Sequence, residues 1–225
     1  MADIEFFFDP LCPWAWITSR FVVEVADQRD LEVEWRFISL AILNAPKFAA
    51  DDEAVANGGT PQLPPQYREI SAMGTRLLRV AAAVRDSYDN AAVGRFYAAA
   101  GDIMHTSGRS GALWSGEDPG DVVAEAIAAT SLPAELSVEA TDPRWDEVLQ
   151  FETALALSRT GEDVGTPIIT FDTTRPQEST LFGPVINRIP RGEEALALWD
   201  ALLVVARTPG IAELKRSLRG APVFT

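Results

Sequence analysis

The sequence predicts an α/β chain in which a β-α-β segment and a later β-β-α segment flank a long helical stretch. Three observations predict it. The apolar run Ile4 to Phe8 breaks at Asp9-Pro10 and gives way to an apolar helix pattern that opens at Cys12-Pro13. A period-2 pattern follows at 31–40. After a middle stretch with few strand signals, Pro167-Ile168-Ile169-Thr170-Phe171 restores the β pattern.

Taken in order, Ile4 to Phe8 reads as a buried strand, because it is short, continuously apolar and bounded by turn residues. The helix that follows, to about Gln28, carries apolar residues at Trp14, Ile17, Phe21, Val22 and Val25. Pro13 fits the first helical position, where the N–H it lacks would be unpaired. That makes Cys12 the N-cap. In the next strand Val33, Trp35 and Phe37 alternate with Glu34, Arg36 and Ile38. Strand, helix and strand make a right-handed parallel β-α-β unit.

Residues 41–65 read as a loop-rich connection, with the charge run Asp51-Asp52-Glu53 and the turn chemistry of Asn57-Gly58-Gly59-Thr60-Pro61. It is either a solvated surface loop or a flap over the thiol. Helices follow at 67–86, 91–105, 119–130 (Asp118 as cap and Pro119 at its start), 132–140 and 142–160 (Asp142 as cap). Residues 167–171 and 179–182 pair as a hairpin around a turn at 172–177. Gly192 to Arg207 is an amphipathic helix, and 209–218 a final one. This order is that of a thioredoxin fold with an all-helical domain inserted. The thioredoxin-like domain takes residues 1–44 and 161–225, and the helical insertion takes 45–160.

Totals narrow the function classes. Lys and Arg number 19 against 33 Asp and Glu, for a net charge of −14. Phosphate backbones and anionic lipid surfaces would repel such a chain, so neither nucleic acid nor membrane is an expected partner. Apolar residues make up 47%, enough for a sizeable core. No run reaches the ~18 uninterrupted apolar residues of a membrane span. A single cysteine rules out an internal disulfide and fits a reducing compartment. With no basic or apolar leader in the sequence, the expected location is the cytoplasm. One cysteine and one histidine cannot build a typical zinc site, and no phosphate-binding glycine loop is present.

The chemistry concentrates at Cys12. A thiol at a helix N-terminus faces unpaired N–H groups and the positive end of the dipole, and both favour thiolate. The alternative is a small buried hydrophobe. Trp14 is a candidate to stack on a flat aromatic substrate, the alternative being core packing of the helix, whereas Trp16 reads as core. His105, the chain's one histidine, closes a predicted helix. It either complements that helix's dipole or reaches over Cys12 as a proton donor or substrate contact. Tyr67 is a further candidate of the same kind.

Cys12-Pro13-Trp14-Ala15 resembles the C-P-x-C motif of DsbA-type thioredoxin-fold oxidoreductases. Phe8 to Trp14 with Ser39 to Asn44 resembles, more narrowly, the actinobacterial mycothiol-dependent nitroreductase family. The likeness continues through Pro65 to Glu69, Val164 to Pro167, Phe182 to Val185 and Ile189 to Glu194, so it covers nearly the whole chain. The resemblance implies a cis Thr166–Pro167 bond against the active cysteine, with Thr166 offering backbone groups to a thiol substrate. It makes Cys12 catalytic, and Pro13, Trp14, Ala15, Thr166, Pro167, His105 and Tyr67 the surroundings of substrate and thiol.

One departure decides the mechanism. Ala15 stands where the motif has its second cysteine. A dithiol cycle is therefore excluded by counting. The leading expectation is a monothiol oxidoreductase in which the Cys12 thiolate works with a low-molecular-weight thiol, mycothiol by resemblance, to reduce mixed disulfides or nitroaromatic compounds. A glutaredoxin-like reductase is an expected partner, and a homodimer is open. Two alternatives stand beside it. One is a kappa-type transferase or isomerase whose bound thiol cofactor is the nucleophile. The other is a non-enzymatic thioredoxin-fold binding protein.

Overall fold

The fold of this chain, in a computed structural model, is described for residues 2–224. Four strands form one sheet in the order β2-β1-β3-β4. They are β1 (Ile4–Phe8), β2 (Val33–Phe37), β3 (Ile168–Thr170) and β4 (Thr180–Phe182). β3 is antiparallel to β1, with Phe7 opposite Ile168, and β4 is antiparallel to β3. The N–H groups of Asp3 and Ile4 both reach the carbonyl of Glu32, which sets the starts of β1 and β2 side by side. This is the strand arrangement expected of a thioredoxin fold.

The chain divides into two compact units. The sheet unit comprises Met1–Phe8, Cys12–Arg36 and Ala154–Thr225. All five β1 side chains are buried, and full burial of each of Phe6, Phe7 and Phe8 contributes roughly 1.5–3 kcal/mol. Trp35 packs edge-on against Phe6 and Phe8. Helix α1 (Pro13–Arg29) buries Ile17, Phe21, Val22 and Val25 of its apolar stripe, together with Ala15, Trp16, Thr18, Ser19 and Ala26. Helix α9 (Gly192–Ala206) contributes Trp199, which lies between Phe21 and Phe171 at 6.0 and 5.0 Å. A buried charge network ties the strands together. Glu5 pairs with Arg36 at 2.7 Å and with Arg159, and Arg159 also donates to Thr170. Burial alone would raise the Glu5 pKa, but Arg159 and Arg36 outweigh it and hold the carboxyl below its usual range.

The helical unit comprises Asp9–Leu11 and Phe37–Thr153. It holds α2 (Leu40–Ala56), α3 (Tyr67–Ser87) and α4 (Asn90–Gly101). A π-helical turn (Asp102–Thr106) continues α4, followed by α5 (Arg109–Ser115), α6 (Val122–Ala129), 3-10 segments at Ala134–Thr141 and Pro143–Trp145, and the start of α7 (Asp146–Thr160). Its core is built on α3, where Leu77, Leu78, Val80 and Ala81 are fully buried. Arg79 grips Asp146 through two nitrogens at 2.7 and 2.8 Å.

Several sequence expectations change. Residues 40–56 are a helix rather than a loop. Ser39 caps it through its side chain, and its alanine-rich sequence tolerates Pro46 inside. The helix expected from Pro119 starts at Val122 with Asp121 as its cap, because Gly120 takes a positive φ of +76°. The turn between β3 and β4 contains a four-residue helix, α8 (Pro176–Ser179). The helix expected at 209–218 does not form. Its apolar positions Leu214 and Leu218 are 76% and 93% exposed, and a short helix with no face to bury is marginal in water.

Candidate active site

Strand β1 delivers the chain to a turn and then to the first residue of α1. Cys12 is the N-cap, with extended backbone angles, and Pro13 follows at N1. The Ala15 N–H donates to the Cys12 sulfur at 3.4 Å. The Cys12 thiol donates in turn to the Thr166 carbonyl, also at 3.4 Å. The Thr166–Pro167 bond is cis, in line with expectation. The Thr166 hydroxyl donates to the Phe7 carbonyl at 3.1 Å, which fixes the residue against the end of β1. Cys12, Pro13, Ala15, Thr166 and Pro167 are therefore drawn together within the sheet unit by α1 and by the approach to β3. Trp14 is half-buried on the first turn, while Trp16 is buried with the Arg20 guanidinium over its ring at 4.4 Å. Ala15 is fully buried.

His105 and Tyr67 belong to the helical unit. The π turn carries His105, which is buried, with Nε2 2.9 Å from the Pro10 carbonyl. A carbonyl oxygen can only accept, so Nε2 carries the hydrogen. Burial pushes the imidazole pKa down to about 4, opposed by the Pro10 bond, and the ring is neutral near pH 7. Tyr67 opens α3 and sits between Phe48 and Trp114, with ring centroids 6.1 Å away on each side.

Two further residues went unnoticed in the sequence. Asp9 is 2% exposed and accepts from the N–H of Leu11 at 2.9 Å and of Leu40 at 2.8 Å. Burial raises its pKa to about 6, against the lowering effect of these two bonds. The second bond places the carboxylate at the N-terminus of α2, where the helix dipole favours negative charge. Gly74 lies in the interior of α3, where glycine costs about 1 kcal/mol relative to alanine. The reason is proximity, because a Cβ there would lie 3.0 Å from Asp9 Oδ1. The sequence signal was an acid between an apolar strand and a proline, matched by a glycine inside a helix.

Among the described residues, no group of three or more His, Cys, Asp or Glu is placed to hold a metal, and no helix is long and apolar enough to cross a membrane. The chain shares its fold with "probable DsbA oxidoreductase SCO1869" of Streptomyces coelicolor, at 16% identity and a TM-score of 0.50, covering 96% of this chain and 95% of that one. It is 29% identical over 229 residues to "Uncharacterized protein Rv2286c" of Mycobacterium tuberculosis (strain ATCC 25618 / H37Rv), covering 99% of this chain and 85% of that protein. The model of the Rv2466c-like family, described as mycothiol-dependent nitroreductase Rv2466c, matches residues 11–216. A single N-capping thiol beside a cis-proline loop and a family match over nearly the whole sequence lead to one assignment: the chain belongs to the Rv2466c-like family of mycothiol-dependent nitroreductases.

Proposed function

We propose that this oxidoreductase works with one protein thiol, Cys12, and takes its electrons from a low-molecular-weight thiol that is mycothiol by family. The observation that carries the reading is the N-cap geometry of the only cysteine, with the Ala15 N–H on its sulfur and no second thiol to resolve it. Ionisation of the thiol gives up the bond to the Thr166 carbonyl and keeps the one from Ala15. The helix N-terminus then favours the thiolate.

In the disulfide reaction the Cys12 thiolate attacks a mixed disulfide R–S–S–R′. A new S–S bond forms between the Cys12 sulfur and the R sulfur as the original S–S bond breaks, and R′S⁻ leaves and takes a proton from solvent. A second small thiol, RSH, loses its proton and attacks the R sulfur bound to Cys12. This releases RSSR and regenerates the thiolate. For a nitroaromatic substrate the balance is ArNO2 + 2 RSH → ArNO + RSSR + H2O, with the two electrons supplied by the small thiol. Thr166 offers backbone polar groups to the bound thiol, and the half-buried Trp14 offers a ring face to a flat substrate. Pro13 and Pro167 are proposed as lining. A glutaredoxin-like partner is the proposed source of reduced thiol, and the cytoplasm the proposed location.

A second reading is favoured by the alanine at position 15. A kappa-type transferase or isomerase needs no second cysteine, because the sulfur of its bound cofactor is the nucleophile. The alkylation rate of Cys12 against pH, read by intact mass, separates these readings. A rate that stays high well below the ~8.5 of an ordinary thiol supports the thiolate. A rate that rises only near that value sinks it and leaves the transferase or a non-enzymatic binding protein. Activity retained in Cys12→Ser selects the transferase.

A further inference from the structure

The three residues before the thiol are neither strand nor helix, yet each is held. Asp9 closes an Asx turn on the Leu11 N–H with one carboxylate oxygen and takes the Leu40 N–H with the other. The Pro10 carbonyl takes the His105 Nε2 hydrogen. Asp9, Pro10 and Leu11 are all buried. Gly74 makes room for the carboxylate, and the π turn directs His105 at the turn. In that turn the Ser107 N–H reaches back five residues to the Asp102 carbonyl at 2.8 Å. The extra residue rotates the side chains that follow it, and such insertions concentrate at functional positions. Pro10 has no N–H to donate, and the bonds given for this turn run through the Asp9 and His105 side chains.

We infer that Asp9 and His105 are positioning residues that hold the Asp9–Leu11 turn, and through the chain set the N-cap geometry of Cys12. Neither side chain is required to touch substrate in this role. The neutral imidazole serves as a fixed donor, with Nε2–H committed to Pro10 and not to proton transfer. The consequence for catalysis rests on the reading of Cys12 as nucleophile.

The test is amide hydrogen exchange on the full chain, with the Cys12 alkylation profile measured in parallel. Three variants are compared with the parent: His105→Phe, which removes the donor; His105→Gln, whose amide N–H can replace Nε2–H; and Asp9→Ala. In His105→Phe and Asp9→Ala, the Leu11 and Ala15 amides are expected to exchange about tenfold faster, while the rest of the sheet unit keeps parental rates. The alkylation midpoint is expected to rise by about half a pH unit in the same variants. His105→Gln is expected to restore both. Parental exchange at Leu11 and Ala15 in His105→Phe overturns the inference. If either loss variant fails to fold, Gly74→Ala takes its place, because it presses a methyl on Asp9 and removes no hydrogen-bonding atom. Unchanged exchange at Leu11 in that variant overturns the inference equally. Accelerated exchange in variants of a parent whose thiol titrates ordinarily leaves the positioning role standing and sinks the nucleophile.

Discussion

The Cys12 sulfur lies 3.4 Å from the carbonyl oxygen of Thr166, a residue 154 positions further along the chain. The two meet because β1 and β3 pair with Phe7 opposite Ile168, which brings the end of one strand beside the start of the other. The Thr166 hydroxyl then locks onto the Phe7 carbonyl. Thr166→Val keeps the shape and removes that bond. Urea unfolding is expected to show a loss of about 1 kcal/mol, the usual net value of one hydrogen bond. Trapping of a small thiol on Cys12 is expected to slow several-fold.

Cys12→Ser places a strong N-cap residue in the same position. The variant is expected to unfold within about 0.5 kcal/mol of the parent. It is also expected to form no adduct with mycothiol by intact mass and to lose thiol-dependent reduction. Cys12 is the one thiol in the sequence, so an adduct on the parent reports on Cys12 alone, and the absence of one there would count against the mixed disulfide.

Ala15→Cys rebuilds the two-cysteine motif of the DsbA-type enzymes. Mixed disulfides on Cys12 are then expected to be resolved internally. The lifetime of the adduct should fall, and oxidised protein should weigh two hydrogens less than reduced protein. Ala15 is fully buried, so some loss of stability from overpacking, about 1–3 kcal/mol, is expected alongside. A long-lived adduct in this variant would show that position 15 cannot reach the bound sulfur.

Glu5 is the carboxylate shared by Arg36 and Arg159. Glu5→Ala leaves two largely buried guanidinium groups without it, and breaking a buried pair from one side costs about 3–5 kcal/mol. Because the folded-state pKa is lowered, the stability Glu5 supplies is present above its ordinary value of 4.5 and is lost as pH falls through the folded pKa. The pH dependence of denaturant unfolding in parent and variant checks both statements.

Asp9 and His105 act in opposite directions over one pH window. The His105 pKa falls from 6.5 to about 4, so the unfolded chain takes the proton first and acidification across that range destabilises. The Asp9 pKa rises from 3.8 to about 6, so the folded chain takes the proton first and acidification stabilises. Each limb is worth on the order of 3 kcal/mol. Relative to the parent, Asp9→Asn is expected to lose stability more steeply from pH 6.5 to 4, and His105→Gln less steeply. Parallel curves would remove the opposition.

The strand and the capped thiol were legible because local rules and tertiary demands agree there: proline at N1 and the apolar run before it point one way. The cis Thr166–Pro167 bond was legible only through the family resemblance, since a proline opening a strand does not by itself specify cis. The segment at 40–56 was not legible, because Pro46 and the acidic run resemble a loop while the Ser39 cap and the alanines favour a helix. The role of Asp9 was hidden for a different reason. Its partners, Leu40 and Gly74, are distant in sequence, and no local pattern announces a buried carboxylate. For His105, the sequence placed it near a helix end but could not show which atom its ring would meet.

The assignment of Asp9–Leu11 to the helical unit bears on how the molecule can be dissected. A recombinant fragment beginning at Phe37 omits those three residues. It would leave the Leu40 N–H and the His105 ring without the acceptors they use here, and would open a space beside Gly74. A sheet fragment made by joining residue 36 to residue 154 keeps the turn in its covalent chain but strips away the side chains that bond it. A faithful excision of the helical half would graft the Asp-Pro-Leu tripeptide back onto it, and soaking that peptide into the bare fragment would measure how strongly the half retains it.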